Sequence, residues 1–113
     1  MNTQQYLERL TAGEEMTFSD FTDLIDSEYS FTSVAFTNGD LENTDDENQG
    51  SAKVFCFGLM YDLGEHEVLR CFGEHYQSVL GSLADGTSHL NIRNFMRKGW
   101  QGVSIDASAL SKK

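Results

Sequence analysis

Tyr6, Leu7 and Leu10 fall at i, i+1 and i+4, one apolar stripe on a short helix over residues 3–11. Thr11-Ala12-Gly13 ends it, with Gly13 free to take a left-handed cap. Phe21, Leu24 and Ile25 give the buried face of a second helix over residues 17–28. Thr17 precedes Asp20 by three residues, a capping-box spacing with Asp in place of Glu, and Met16 and Phe21 stand at the staple positions. Residues 29–37, YSFTSVAFT, are aromatic and β-branched and predict a strand. Asn38-Gly39-Asp40 marks a turn. Residues 40–50 then read as a polar acidic loop with almost nothing to bury.

Val54 to Tyr61 is apolar on every side, so periodicity does not separate a buried strand from a buried helix. Only Val54 is β-branched, while Ala52, Leu59 and Met60 favour helix. The segment 51–62 is therefore read as a central helix that Ser51 could cap. Val68, Leu69, Phe72, Tyr76, Val79 and Leu80 cover a stripe of roughly 120° on a helix over residues 65–80. Gly81 ends it and Ala84-Asp85-Gly86 is a turn. Ile92, Phe95 and Met96 face inward on a helix over residues 91–98, with Arg93, Arg97 and Lys98 crowding toward its end, where cations complement the dipole. Residues 100–106 predict a short closing strand, antiparallel to residues 30–37, and residues 107–113 a frayed tail. The pattern predicts an α+β fold: one mostly helical domain of about five helices with a small two-stranded antiparallel sheet.

Composition sharpens this. The chain has 113 residues, 8 Lys+Arg and 18 Asp+Glu, for a net charge of −10. Residues 1–47 hold 12 acids and one base, Arg9; residues 48–113 hold 6 acids and 7 bases. Phosphate backbones and anionic bilayers both need Lys/Arg neutralisation, so neither nucleic acid nor membrane is an expected partner. The N-terminus has neither a basic n-region nor an apolar h-region, and no run approaches the length of a membrane span. A cytoplasmic protein is expected where it is made, with export by a route without a cleavable apolar signal left open. Cys56 and Cys71 read as reduced core thiols.

No assembled catalytic constellation is visible. Asp45, Glu47, Gln49 and Gly50 imitate the start of a calcium loop, but the closing bidentate Glu is Cys56. Cys71 and His75 stand at i, i+4, a spacing that allows a thiolate–imidazole couple but with no orienting third group. His66 and His75 point to opposite sides of one helix. The segment Thr87 to Phe95 is the densest polar cluster. His89 and Asn91 sit at a helix front, where free N–H groups bind anions, and Arg93 and Arg97 share a face that suits a carboxylate or phosphate. No metal and no cofactor are expected.

Two stretches carry a family resemblance: Ala35-Phe36-Thr37-Asn38-Gly39-Asp40 followed by Gly50-Ser51-Ala52-Lys53-Val54-Phe55, and Asn91-Ile92-Arg93-Asn94-Phe95-Met96 followed by Gly99-Trp100 and Gly102. Cys71-Phe72-Gly73 and Tyr76 lie between them. This pattern resembles the HopJ (HopPmaJ-type) family of small bacterial proteins, named as type III effectors, over roughly residues 3–106. The resemblance implies a protein passed into a host cell that acts by interaction, with a host protein or a secretion chaperone as partner; it brings no established active site. A monomer or weak dimer is expected. The matching polar residues Asn38, Lys53, His89, Asn91, Arg93 and Asn94 are the candidate ligand-binding set. A second reading is a cytosolic small-ligand binder or enzyme with a polar site at Asn38, Lys53, His89 and Arg93.

Overall fold

The all-apolar run at the centre of the chain is a helix, and the rest of the molecule wraps it. The computed structural model describes residues 1–84 and 86–113. In chain order the elements are α1 (Thr3–Thr11), α2 (Phe18–Glu28), β1 (Tyr29–Phe31), β2 (Phe36–Asn38), β3 (Leu41–Asn43), α3 (Gln49–Met60), α4 (Glu65–Cys71), α5 (Glu74–Leu80), α6 (Leu90–Lys98), β4 (Val103–Ser104) and β5 (Leu110–Lys112). The predicted α+β, mostly helical class is the observed one.

On α3, residues 54–58 are all buried. Phe55 and Phe57 are two positions apart, so they point to roughly opposite sides of the helix. Phe57 packs its ring against Tyr6, Phe21, Tyr29 and Tyr61, drawing in α1, α2 and β1. Phe55 packs against Phe36, Phe72, Phe95 and Trp100, drawing in β2 and the C-terminal half. A strand could also face two ways, but it would be bounded by turn signals; the helix formers Ala52, Leu59 and Met60 carry this segment on as α3. Ser51 lies inside the helix. Asn48 is the N-cap, left-handed at φ 53° and with no side-chain cap bond.

The segment expected as one helix over 65–80 is two. Gly73 takes φ +58°, and a Cβ there would sit 2.4 Å from the backbone nitrogen of Phe18. The start of α2 therefore presses directly on the chain at Gly73 and breaks it into α4 and α5. Glu74, the first residue of α5, accepts from Phe18 N–H at 2.9 Å. The Thr17–Asp20 capping box is present at the same helix front.

The strand expected over residues 29–37 is also two. β1 pairs antiparallel with β5, and β2 is the centre of a three-stranded sheet of order β3-β2-β4. The predicted pairing of the closing strand is present in β2–β4, with Thr37 opposite Ser104 and Asn38 opposite Val103. Gly39, φ +65°, turns β2 into β3, so residues 41–43 of the expected acidic loop form a strand with Asn43 buried.

Residues 107–113 are not frayed. Leu110 is 2% exposed, Ala109 C=O accepts from Thr32 N–H, and Lys113 N–H donates to Glu28 C=O, both at 2.9 Å. One well-placed leucine and three strand positions anchor the segment. Glu28 in turn accepts from the Thr3 hydroxyl at 3.0 Å, which leaves that hydroxyl to accept from Tyr29 at 2.8 Å. The expected turn at Ala84-Asp85-Gly86 falls on Asp85, which lies outside the described residues.

Candidate functional site

β2 and α6 meet through asparagines. Asn38, fully buried at the end of β2, donates from Nδ2 to the Asn91 carbonyl at 2.8 Å and to Asn91 Oδ1 at 3.1 Å. Asn91 Nδ2 donates to Asn43 Oδ1 at 3.1 Å, which also accepts from Asn48 Nδ2 at 2.8 Å. Asn94, one turn along α6, donates to the Asn38 carbonyl at 2.8 Å and accepts from Arg97 Nη2 at 2.5 Å. Asparagine supplies both a donor and an acceptor, so these side chains satisfy one another as well as the carbonyls of Asn38 and Asn91. The network thus joins a hairpin to a helix; Asn38 Oδ1 is buried in it without a partner.

Of the six candidate residues, Asn38, Asn91 and Asn94 are brought together in this network. Arg93 points elsewhere. Its Nε donates to the Ser88 carbonyl at 2.6 Å and its Nη2 to the Ser82 carbonyl at 3.0 Å, so the guanidinium ties together the connection between α5 and α6. Lys53, on α3, holds its ammonium 5.5 Å from the centre of the Phe31 ring. His89 is exposed at the front of α6. Asn38, Lys53 and Arg93 are each engaged with a different part of the fold, so the four-residue constellation with His89 does not meet at one point.

His89 lies instead in a cleft of about 420 Å³. Its imidazole is 5.2 Å from that of His75, centre to centre, and the Phe18 ring meets His75 edge-on at 5.0 Å. The first turns of α3 and α6 both open on this cleft, through Gly50 and Ser51 on one side and Leu90 and Asn91 on the other. Like Asn48, His89 is a left-handed N-cap, at φ 50°, and makes no side-chain cap bond.

The thiols are placed for packing. Burial pushes Cys56 up to about 11 and Cys71 up to about 12, so both are neutral thiols near pH 7. Cys71 lies beside the Tyr6 hydroxyl, which burial also pushes well above its ordinary range. The break at Gly73 takes His75 off the helix that carries Cys71, so the expected i, i+4 geometry is not formed. In the acidic loop, Glu47 accepts from Thr44 N–H at 3.0 Å, Asp46 accepts from the Thr44 hydroxyl, and the Gln49 amide donates to the carbonyls of Val34 and Glu47. Among the described residues no group of three or more His, Cys, Asp or Glu is arranged to hold a metal ion.

A family model described as HopJ type III effector protein matches residues 3–110, nearly the whole chain and both sides of the asparagine network. The chain belongs to the HopJ family. A solved structure titled "Crystal structure of unknown function protein VPA0580" is 40% identical, with a TM-score of 0.92, covering 100% of this chain and 95% of that one. No curated protein matches. The HopJ fold seen here is thus one shared with an experimentally solved relative, and the family name makes the chain type III effector-like. No helix among the described residues is long and apolar enough to cross a membrane.

Two residues of these sites escape a reading of the sequence, Asn43 and Asn48, in what reads as a solvated loop, and His75 is read with Cys71 on one continuous helix, not with His89. The one available signal for the first two was the count of asparagines flanking Gly39 and Gly50. His75 needed the break at Gly73, which depends on a contact with Phe18 made across 55 residues of chain.

Proposed function

We propose that this HopJ-family protein is an effector that acts by contact with another protein and makes or breaks no bond. The observation that carries this is where its basic side chains go. Arg70 donates to the carbonyls of Leu10 and Glu14, Arg93 to those of Ser82 and Ser88, Arg97 to the Asn94 amide oxygen, and Lys113 to the Asp26 carbonyl. Among the described residues these donors meet backbone, hydroxyl and amide oxygens. Asp20, Glu28, Asp46 and Glu47 accept hydrogen bonds within the fold, but from neutral donors, and Asp23, Asp26, Glu42, Asp45 and Glu47 are exposed.

An uncompensated field of this kind steers a basic partner onto one face and falls away with salt. A host protein or a secretion chaperone with a Lys/Arg-rich surface fits it. With the thiols buried and neutral and Asn38, Lys53 and Arg93 engaged, no nucleophile is assembled among the described residues, which supports contact over catalysis.

Two measurements test the reading. A translocation reporter fused to residues 1–50, in the native organism, reports host entry; absence of entry removes the effector role. Capture from host extract at low salt is expected to retain a partner that is lost at high salt. It should also be lost from an Asp23→Asn, Asp26→Asn, Glu42→Gln variant. Recovery that ignores both salt and these substitutions refutes the acidic contact surface.

A further inference from the structure

The acidic contact leaves the cleft at His75 and His89 without a role. At about 420 Å³ it is of small-molecule size. Its wall includes Phe18 and Phe72, whose rings lie parallel within 3° and 6.4 Å apart, with Leu41 and Ile92 beside them. The polar end is the histidine pair, rings 5.2 Å apart and tilted by 39°. In a chain of 18 acids, none of the described lining residues is Asp or Glu.

Two imidazoles in contact present N–H donors toward the same space, and they repel when both are charged unless an anion stands between them. Glu74, beside His75, commits its carboxylate to the Phe18 N–H at 2.9 Å, and none of the described lining residues carries a carboxylate; an anion bound between the rings would add counter-charge there. The lining also takes in Gly50, Ser51, Leu90 and Asn91 from the first turns of α3 and α6, where backbone N–H groups have no intrahelical acceptor. The flat apolar wall next to the pair then selects a ligand with a ring as well as a charge.

We propose that the cleft binds a small molecule that joins a phosphate monoester to a flat ring, with the phosphate at His75 and His89 and the ring along Phe18 and Phe72. None of the acidic residues substituted above lines the cleft, so either proposal can fail alone. The probes are adenosine monophosphate, adenosine and inorganic phosphate, titrated calorimetrically into the whole protein. The monophosphate is expected to bind more tightly than either fragment. His75→Gln and His89→Asn, the latter keeping a residue that tolerates left-handed backbone, are each expected to weaken it about ten-fold or more by removing a charge-capable donor.

Imidazole proton shifts in the unmodified protein give a second readout: signals of both histidines should move with the monophosphate and stay with adenosine. Absence of monophosphate binding at millimolar concentration overturns the site. So does equal binding of adenosine, equal binding of inorganic phosphate, or unweakened binding by both variants.

Discussion

Asn38 and Asn91, 53 positions apart in the chain, are joined by two hydrogen bonds from one amide group, at 2.8 and 3.1 Å. Both residues are buried. The contact fixes α6 against the β2–β3 hairpin, and through α6 it sets where His89 stands over the cleft.

Removing the Asn91 side chain takes one bond from the Asn38 amide, one from the Asn43 amide and one from the Asn43 oxygen, while the Asn91 carbonyl, the Phe36 carbonyl and Asn48 remain as their partners. Each net hydrogen bond contributes about 0.5–1.5 kcal/mol. Asn91→Ala is therefore expected to lose about 2–3 kcal/mol of stability, seen as a lower denaturant midpoint. Asn48→Ala, at an exposed position with one bond to the same network, should cost about 1 kcal/mol. Equal losses for the two contradict the buried network.

Gly73 gives a steric prediction. Gly73→Ala puts a Cβ 2.4 Å from Phe18 N and 2.7 Å from Thr17 C, both backbone atoms with little freedom to move. Gly13 has a similar positive φ, +83°, but nothing within 4 Å. Gly13→Ala should cost only the left-handed strain, about 1–2 kcal/mol. Gly73→Ala should cost more than twice as much, measured as thermal midpoints of the two variants side by side.

Glu74 sets an acid-side dependence. Its carboxylate is held below the ordinary glutamate range first by the N–H of Phe18 and then by its own backbone N–H. A depressed folded pKa contributes stability above the unfolded value, and that contribution disappears as pH falls through the folded one. Wild type should therefore exceed Glu74→Gln in stability near neutrality, with the gap closing below the usual glutamate range. A gap that persists in strong acid contradicts this role.

The thiols set a base-side dependence of opposite sign. Cys56 and Cys71 are raised to about 11 and about 12 from 9.0, chiefly by burial. A raised folded pKa gives stability that is complete below the unfolded value and is lost as pH rises through the folded one. Folding should weaken from about pH 9 upward, and Cys56→Ala, Cys71→Ala should flatten that decline. Thiol reagents at pH 7 should label neither residue until denaturant unfolds the chain.

The helices with a one-sided stripe or a cap were readable before any coordinates: α1 from Tyr6, Leu7 and Leu10, α2 from Thr17 and Asp20, α6 from Ile92, Phe95 and Met96. Local signals suffice there because cap and stripe lie within one element. What resisted were features set by distant partners. The kink at Gly73 answers to Phe18. The strand at Leu110–Lys112 answers to Tyr29–Phe31, whose pairing no local pattern announces. Asn43 looks like any loop asparagine until α6 arrives beside it. Three of the six candidate polar residues share one network, while Lys53 and Arg93 lie elsewhere, because spacing along the chain says nothing about which side of α6 faces the hairpin.

The pairing of β1 with β5 has a consequence for timing. Thr3 is bonded to Glu28 and Tyr29, and Glu28 and Tyr29 are flanked by the last strand. A chain emerging from the ribosome has its first helix long before residues 110–112 exist to close the sheet that backs it. Such long-range pairing forms late. Until then Tyr6 and Leu10 have only part of the packing that later buries them, and the apolar side of α1 is open to a reader; in the finished protein only its polar side, with Gln4, Gln5, Glu8 and Arg9, stays exposed. Recognition of that apolar side is a race against the arrival of the final strand.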